Sequence, residues 1–506
     1  DAASTRYWNW NGSTHEGFSP IGYSAINLVP PTNPFRGNFD GNHKSISGLY
    51  IYTPNKKFSG LFGAIGHSGI DGFIGNVGLE NIYVSGESYV GGLVGYYYPY
   101  YNSSVRDSYV RGSINGGDYI GGIIGDVAGG TSYIRNCYAD ASIEGRYNVG
   151  GVIGYSNGYS NYVDACFSSG EVHGSGYVGG FVGYAWAMYF SNSYSICNLF
   201  VKAIYGNSPY AGGFSGDTGI FSNCYVSGNI SLEATGSFDS DYVSGFAHNP
   251  NTVTNCYYSN SSYSRDEEAT LVSRNDLKKE STFSGWDFTS TWTVDENNSY
   301  PQLMWENYTW TGSADGTSWS TAGNWLRNLK IPSGAPVGTI PAEKIYIGTG
   351  EAINTPGSAL TVGALQLGPS VEGTVYLGAN LELDSSYGRS GSLRIYGGTL
   401  DATESSRNIE LDGDFIKSSG GRFIAGNGTF YIKDGSRPTK IQGSPRFYDL
   451  RCEVPGKRIS FESGSCVTIE GLFRTEGLSS NPVFLQSSSP GNRWRLNLLG
   501  SRDYIN

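Results

Sequence analysis

The stretch Tyr89-Val-Gly-Gly-Leu-Val-Gly95 decides the fold, because it keeps returning. It recurs as Tyr119-Ile-Gly-Gly-Ile-Ile-Gly125, Asn148-Val-Gly-Gly-Val-Ile-Gly154 and Tyr177-Val-Gly-Gly-Phe-Val-Gly183. Weaker copies are Tyr210-Ala-Gly-Gly-Phe-Ser-Gly216 and Tyr242-Val-Ser-Gly-Phe-Ala-His248, and Phe58-Ser-Gly-Leu-Phe-Gly63 is an early relative. The first glycines, Gly91, Gly121, Gly150, Gly179 and Gly212, are spaced by 30, 29, 29 and 33 residues. Between the copies runs a second pattern in lockstep. It reads Asp107-Ser-Tyr109, Asn136-Cys-Tyr138, Ala165-Cys-Phe167, Asn192-Ser-Tyr194, Asn223-Cys-Tyr225 and Asn255-Cys-Tyr257.

A fixed period carrying several short strand-like runs is too long for a hairpin, and it lacks the apolar spacing of paired helices. It fits one coil of a β-helix, whose successive coils lie about 4.8 Å apart and pair in parallel register. Each residue then stacks on its own copy. Val, Leu, Ile and Phe fill the interior. The glycine pairs Gly91/Gly92, Gly121/Gly122, Gly150/Gly151, Gly179/Gly180 and Gly212/Gly213 are expected to supply positive φ and close backbone approach at a corner. The asparagines are expected in the left-handed region, each bonding the amide of its stacked neighbour. A phosphate-cradling reading of the glycines fails. A P-loop needs a following Lys-Ser/Thr, and a dinucleotide turn needs a strand-to-helix context.

Composition agrees with an all-β chain. The 506 residues include 74 Gly and 39 Tyr but 2 Met. Charged residues make up 15%, against roughly 25% in ordinary soluble domains. The net charge of -11 comes without a Lys/Arg run, which argues against nucleic acid and anionic membrane as partners. No apolar stretch approaches the roughly 20 residues of a membrane span. The chain starts at Asp1 without Met, so an upstream segment is expected to have been removed or left out.

Beyond Tyr308 the character changes to a Trp/Gly/Asn-rich block, Trp310 to Gly316, Trp319 and Ala322 to Trp325. Short alternating strand signals follow, among them Thr374 to Leu377, Ser392 to Ile395, Thr429 to Ile432 and Val467 to Ile469. A second β-helix with shorter coils is the favoured reading, with a β-sandwich as the alternative.

The glycine runs resemble the GLUG motif of exported bacterial surface proteins. Phe18-Ser-Pro-Ile-Gly22, Phe35 to Asn42 and Ile46-Ser-Gly-Leu49 resemble the entry coils of such arrays. Phe283 to Phe288, Trp292 and Tyr300 to Trp305 resemble their closing segment. The block after Tyr308 resembles the start of β-helical adhesin modules. The resemblance implies a right-handed parallel β-helix over residues 1–306, followed by a second strand-rich domain over 307–506. It also implies an extracellular adhesive or structural role, as in adhesins and the non-catalytic parts of immunoglobulin A peptidases.

Candidate chemistry is sparse. His15-Glu16 lacks the second histidine of a zinc protease helix, so no catalytic metal and no cofactor are expected. Asp266-Glu-Glu268, Asp239 and Asp241 read as solvated loops rather than a glycosidase pair. Seven cysteines form no CxxC pair. Stacking places Cys137 beside Cys166 and Cys224 beside Cys256, as disulfides or as buried thiols. Cys197 falls outside that column. Tyr96, Tyr97, Tyr98, Tyr100 and Tyr101 form an aromatic run readable as a contact surface or as local packing. Solenoid ends expose pairing edges, so self-association, head-to-tail or by strand donation, is expected, with surface glycans or proteins as further partners. The function expected is therefore a non-enzymatic surface structural protein or adhesin, a subunit of a fibre. A polysaccharide-active β-helix enzyme and the non-catalytic arm of a surface peptidase are the alternatives.

Overall fold

The computed structural model describes residues 3–22, 29–66, 72–99, 103–158, 160–203, 209–234, 240–259, 268–288, 291–294, 300–303, 308–310, 317, 325–326, 339–347, 352–355, 357, 359–368, 371–384, 391–404, 406–434 and 438–505. Among these the elements are strands and four short 3-10 turns. The chain divides into two compact units, residues 1–277 with 281–286, and residues 278–280 with 287–506. Each is a parallel β-solenoid.

In the first unit one coil runs Ser103–Arg106, Tyr109–Asn115, Asp118–Gly121 and Ile124–Val127 before the next begins at Ser132. Every strand pairs in parallel with its copy one coil away. Ile124 faces Val94 on one side and Ile153 on the other, and Gly121 faces Gly91 and Gly150. The early segments join the same stack. Ile21 bridges Phe62, Phe35 bridges Ile65, and Phe39–Ser47 pairs with Phe73–Gly86. The period seen in the sequence is thus the coil itself. Because identical columns stack, one apolar residue per position yields a continuous core, from Ile51 and Val90 through Ile143 and Val172. In later coils the core turns aromatic, with Phe181, Phe214 and Phe246 stacked at 4.6 and 5.5 Å.

The second unit is also built from parallel ladders, which excludes the β-sandwich, an antiparallel architecture. Leu381, Ile409, Phe430, Leu450 and Phe473 succeed one another along one ladder. Leu365, Leu393, Phe415, Ile441 and Phe461 follow along a second. All are buried in one core. Residues 287–303 belong to this unit. Trp292 and Leu303 pair across a short antiparallel ribbon, and the buried Arg394 donates to the Val294 carbonyl at 2.7 Å. A segment that resembles the closure of the first array is therefore divided: Phe283 and Trp286 pack against Tyr257, in the first unit, at 5.0 and 6.0 Å.

Candidate functional site

The two corner motifs are the most repetitive features, and the structure assigns each a mechanical task. At the glycine corner no positive φ occurs at Gly91, Gly92, Gly121, Gly122, Gly150, Gly151, Gly179, Gly180, Gly212 or Gly213. This corrects half of the expectation. Close approach alone requires glycine. A Cβ on Gly121 would lie 2.1 Å from the Ile124 carbonyl oxygen, and one on Gly151 2.0 Å from that of Gly180. The left-handed residue instead sits two positions earlier, at Phe58, Tyr89, Tyr119 and Asn148, with φ of 67, 58, 64 and 55°. The repeat shows this aromatic clearly, but nothing in a tyrosine announces positive φ.

The second corner behaves as expected for its first residue. Asp107, Asn136, Ala165, Asn192, Asn223 and Asn255 all have φ between 47 and 52°. Asn136 Nδ2 donates to Asp107 Oδ1 at 3.0 Å, and Asn223 Nδ2 to Asn192 Oδ1 at 3.4 Å. Where Ala165 interrupts the ladder, Asn192 turns to Asp164 Oδ1 at 3.0 Å.

The Ser/Cys column explains its own composition. Ser108, Cys137, Cys166, Ser193, Cys224 and Cys256 each donate to the carbonyl two residues upstream, at 2.7 to 3.3 Å. Three of them also accept a backbone N–H from the preceding coil: Ser108 from Val77, Cys166 from Cys137, and Ser193 from Cys166. Hydroxyl and thiol both donate and accept, so they interchange here. All seven cysteines are free thiols in the structure. Each of the four column sulfurs donates to a backbone carbonyl, and Cys166 also meets the Cys137 side chain, as Cys224 meets that of Cys256. Burial raises the pKa of Cys166 and Cys224, and pushes Cys197 up to about 12, so none of these three is primed as a nucleophile. Cys166→Ser is therefore expected to leave the thermal midpoint nearly unchanged, whereas Cys166→Ala loses about 1 kcal/mol by stranding the Cys137 N–H. Equal midpoints for the two variants would remove the hydrogen-bonding role.

Of the three described tyrosines in the run, two are packed and one is exposed. Tyr97 points inward and is fully buried in the main core. Tyr96 points outward but is 4% exposed, because Phe58, Ala64, Ala128 and Tyr89 close over it as a small outer cluster. The strand alternation forces these opposite directions. Tyr98 is exposed; Tyr100 and Tyr101 lie outside the described residues. Exposed aromatic surface is richer on one later coil, at Trp186, Tyr189 and Phe200.

Beside the outer cluster sits a group that repeat reading passed over. Asp126 occupies the column of Tyr96 and Tyr155, its partners in the adjacent coils. Rings of Tyr89 and Tyr119, stacked at 4.7 Å, lie against this column. Tyr89 meets Tyr96 edge-on at 5.5 Å and Tyr119 meets Tyr155 at 5.1 Å. Asp126 Oδ1 is buried without a hydrogen-bond partner, and desolvation raises its pKa well above the ordinary 3.8. A signal was available, an acid in a tyrosine column, but it appears only once the register is known.

The acidic loop residues do not assemble into a site. Asp239, Asp266 and Glu267 lie outside the described residues, as does His67. Among the described residues no group of three His, Cys, Asp or Glu side chains is placed to hold a metal. No described helix is long and apolar enough to cross a membrane.

In the second unit one ladder is broken. Ala352–Asn354, Thr374–Tyr376, Thr399–Asp401 and Arg422–Ile424 pair in succession, and then the pairing stops. Arg446–Phe447, Cys466–Ile469 and Arg495–Leu498 form a separate ladder on the following coils. The ladder through Phe415, Ile441 and Phe461 runs on past this point. The break opens a cleft of about 500 Å³ lined by Lys417, Arg422, Ile424, Asn427, Arg446 and Glu470, among others.

Comparison with known proteins agrees with the coil geometry. Residues 86–115 match the family described as the GLUG motif, and they span one complete coil of the first solenoid. The chain is similar to Halomucin of Haloquadratum walsbyi, with 31% identity over 127 residues, covering 25% of this chain and 1% of Halomucin. A crystal structure assigned to a candidate immunoglobulin A1 protease of Bacteroides ovatus aligns over 57% of this chain and 81% of its own, at 21% identity and a TM-score of 0.39. The resemblance read from the glycine runs to GLUG-motif β-helix proteins therefore holds.

Proposed function

We propose that this GLUG-repeat chain is an extracellular surface protein with a structural and adhesive task, working without catalysis. The observation that supports this most is the coil itself. Its repeated positions are committed to stacking: glycines to backbone approach, Asn and Ser/Cys to corner bonds, apolar residues to the interior. Similarity to a stretch of Halomucin supports the same reading. Adhesion would use exposed aromatic side chains such as Trp186 and Tyr189, 52 and 40% exposed, which suit surface glycans or proteins. Each coil of a solenoid pairs only with its neighbours, so another copy is the natural partner for self-association along the axis.

Two measurements test this reading. Antibody against the folded chain is expected to label intact producing cells; labelling only after permeabilisation would overturn the surface assignment. Negative-stain microscopy over a wide concentration range is expected to show end-to-end assemblies. Uniform single rods at every concentration would remove self-assembly and leave the surface role to the first measurement.

A further inference from the structure

We propose that the cleft at the broken ladder of the second unit binds an acidic saccharide. The inference goes beyond the surface role and does not depend on self-assembly. Its first support is the backbone. In a parallel ladder alternate residues of a strand bond to opposite neighbours. Arg422 donates its N–H to the Gly398 carbonyl, and the Ile424 carbonyl accepts from Ala402 N–H, so both serve the preceding coil. The intervening Phe423 thus directs its N–H and C=O toward the following coil, where no strand among the described residues pairs with Arg422–Ile424. On the far wall the Pro445 carbonyl accepts from Thr468 and the Phe447 carbonyl from Glu470, one coil further on. The alternate residue Arg446 accordingly turns its backbone toward the cleft. Pro445 itself carries no N–H to offer.

A cleft whose edges turn backbone donors and acceptors inward suits a partner that both donates and accepts. Hydroxyl groups do both, and the exposed Asn427 and Ser444 add side-chain amide and hydroxyl on the rim. Ile424, Ala425 and Pro445 supply apolar surface for a sugar ring.

Charge supplies the second support. The lining holds Lys417, Arg422 and Arg446 against one carboxylate, Glu470, in a chain whose net charge is -11. Arg446 pairs with Glu470, and Lys417 Nζ donates to the carbonyls of Ser418 and Gly421 at 3.2 and 3.3 Å. Arg422 is exposed and has no ion-pair partner among the described residues. Its planar guanidinium is suited to a bidentate bond with a carboxylate or sulfate. The cleft volume of about 500 Å³ is in the range of sites that hold small ligands.

The test is titration calorimetry on the full chain with four probes: hexagalacturonate, a sulfated heparin hexasaccharide, uncharged cellohexaose and a hexaglutamate peptide. One or both acidic saccharides are expected to bind, at least about tenfold more tightly than cellohexaose or hexaglutamate, and the stronger of the two identifies carboxylate or sulfate as the anion. Arg422→Ala is expected to weaken that binding about tenfold, with Arg422→Lys restoring part of it. Because Arg422 is exposed, the thermal midpoint of both variants stays that of the parent, which separates lost contact from lost fold. Binding unchanged in Arg422→Ala, no binding of either acidic saccharide, or preference for hexaglutamate would each overturn the proposal. Surface labelling and microscopy are unaffected by any of these outcomes, so failure here is distinguishable from failure of the surface role.

Discussion

Gly150→Ala is expected to destabilise the first solenoid by about 3 kcal/mol. The added Cβ would fall 2.0 Å from the Ile153 carbonyl oxygen, 2.7 Å from Gly183 N and 2.8 Å from Val182 Cα. All three are backbone atoms, so no side-chain rotation relieves the contact. Gly183 and Val182 belong to the next coil, held in register through Ile153 and Val182. Relief therefore means separating two coils over several ladder bonds. The same geometry holds at Gly91, Gly121, Gly179 and Gly212, where the nearest backbone oxygen would lie at 1.9 to 2.2 Å. Gly357→Ala is the control, since a Cβ there meets nothing within 4 Å. Urea unfolding followed by far-UV circular dichroism reads both. A loss below about 1 kcal/mol at Gly150 would show that the corner is not limited by approach.

Asp126→Asn is expected to stabilise the first unit by about 2 kcal/mol at pH 7 and to leave it unchanged near pH 3.5. The sign follows from burial. The folded carboxyl titrates well above 3.8 because desolvation penalises its charged form, whereas the unfolded one titrates near the ordinary value. The protonated acid therefore contributes its full stability below the unfolded pKa. That contribution is lost as pH rises from there through the folded pKa. The amide is neutral throughout and escapes the loss. Groups facing Asp126 do not mask the effect. The phenols of Tyr89, Tyr96 and Tyr119 are raised by burial and that of Tyr155 is pushed up to about 12, so all four stay neutral across the window. Melting curves of parent and variant at the two pH values decide it. Parallel pH dependence in both proteins would place the titrating group elsewhere.

Much of the first solenoid was legible because a translational repeat prints its columns into the chain. Gly91, Gly121 and Gly150 are spaced by one coil, so their pairing follows once the period is recognised. The Asn192 and Asn223 corner was readable for the same reason, since asparagine is among the few residues that tolerate the left-handed region. The second unit was harder. Its ladder partners, such as Phe430 with Leu450 and Leu450 with Phe473, are less evenly spaced, so its strands were visible but their pairing was not.

By itself, then, the sequence determined the coil, its period and the identity of its corners, because each depends on residues one period apart and on local backbone preference. Only the tertiary structure decided which way a column faces and what lies over it. Tyr96 became core because Phe58 and Tyr89 cover it, and the Cys137 sulfur turned to the Arg135 carbonyl because the corner places that oxygen beside it. Asp126 became a buried acid because two tyrosine columns enclose it. The break at Pro445 became a cleft because the neighbouring ladder continues past it while this one stops. Burial, register between coils and the closing of backbone bonds depend on what lies beside a residue in space.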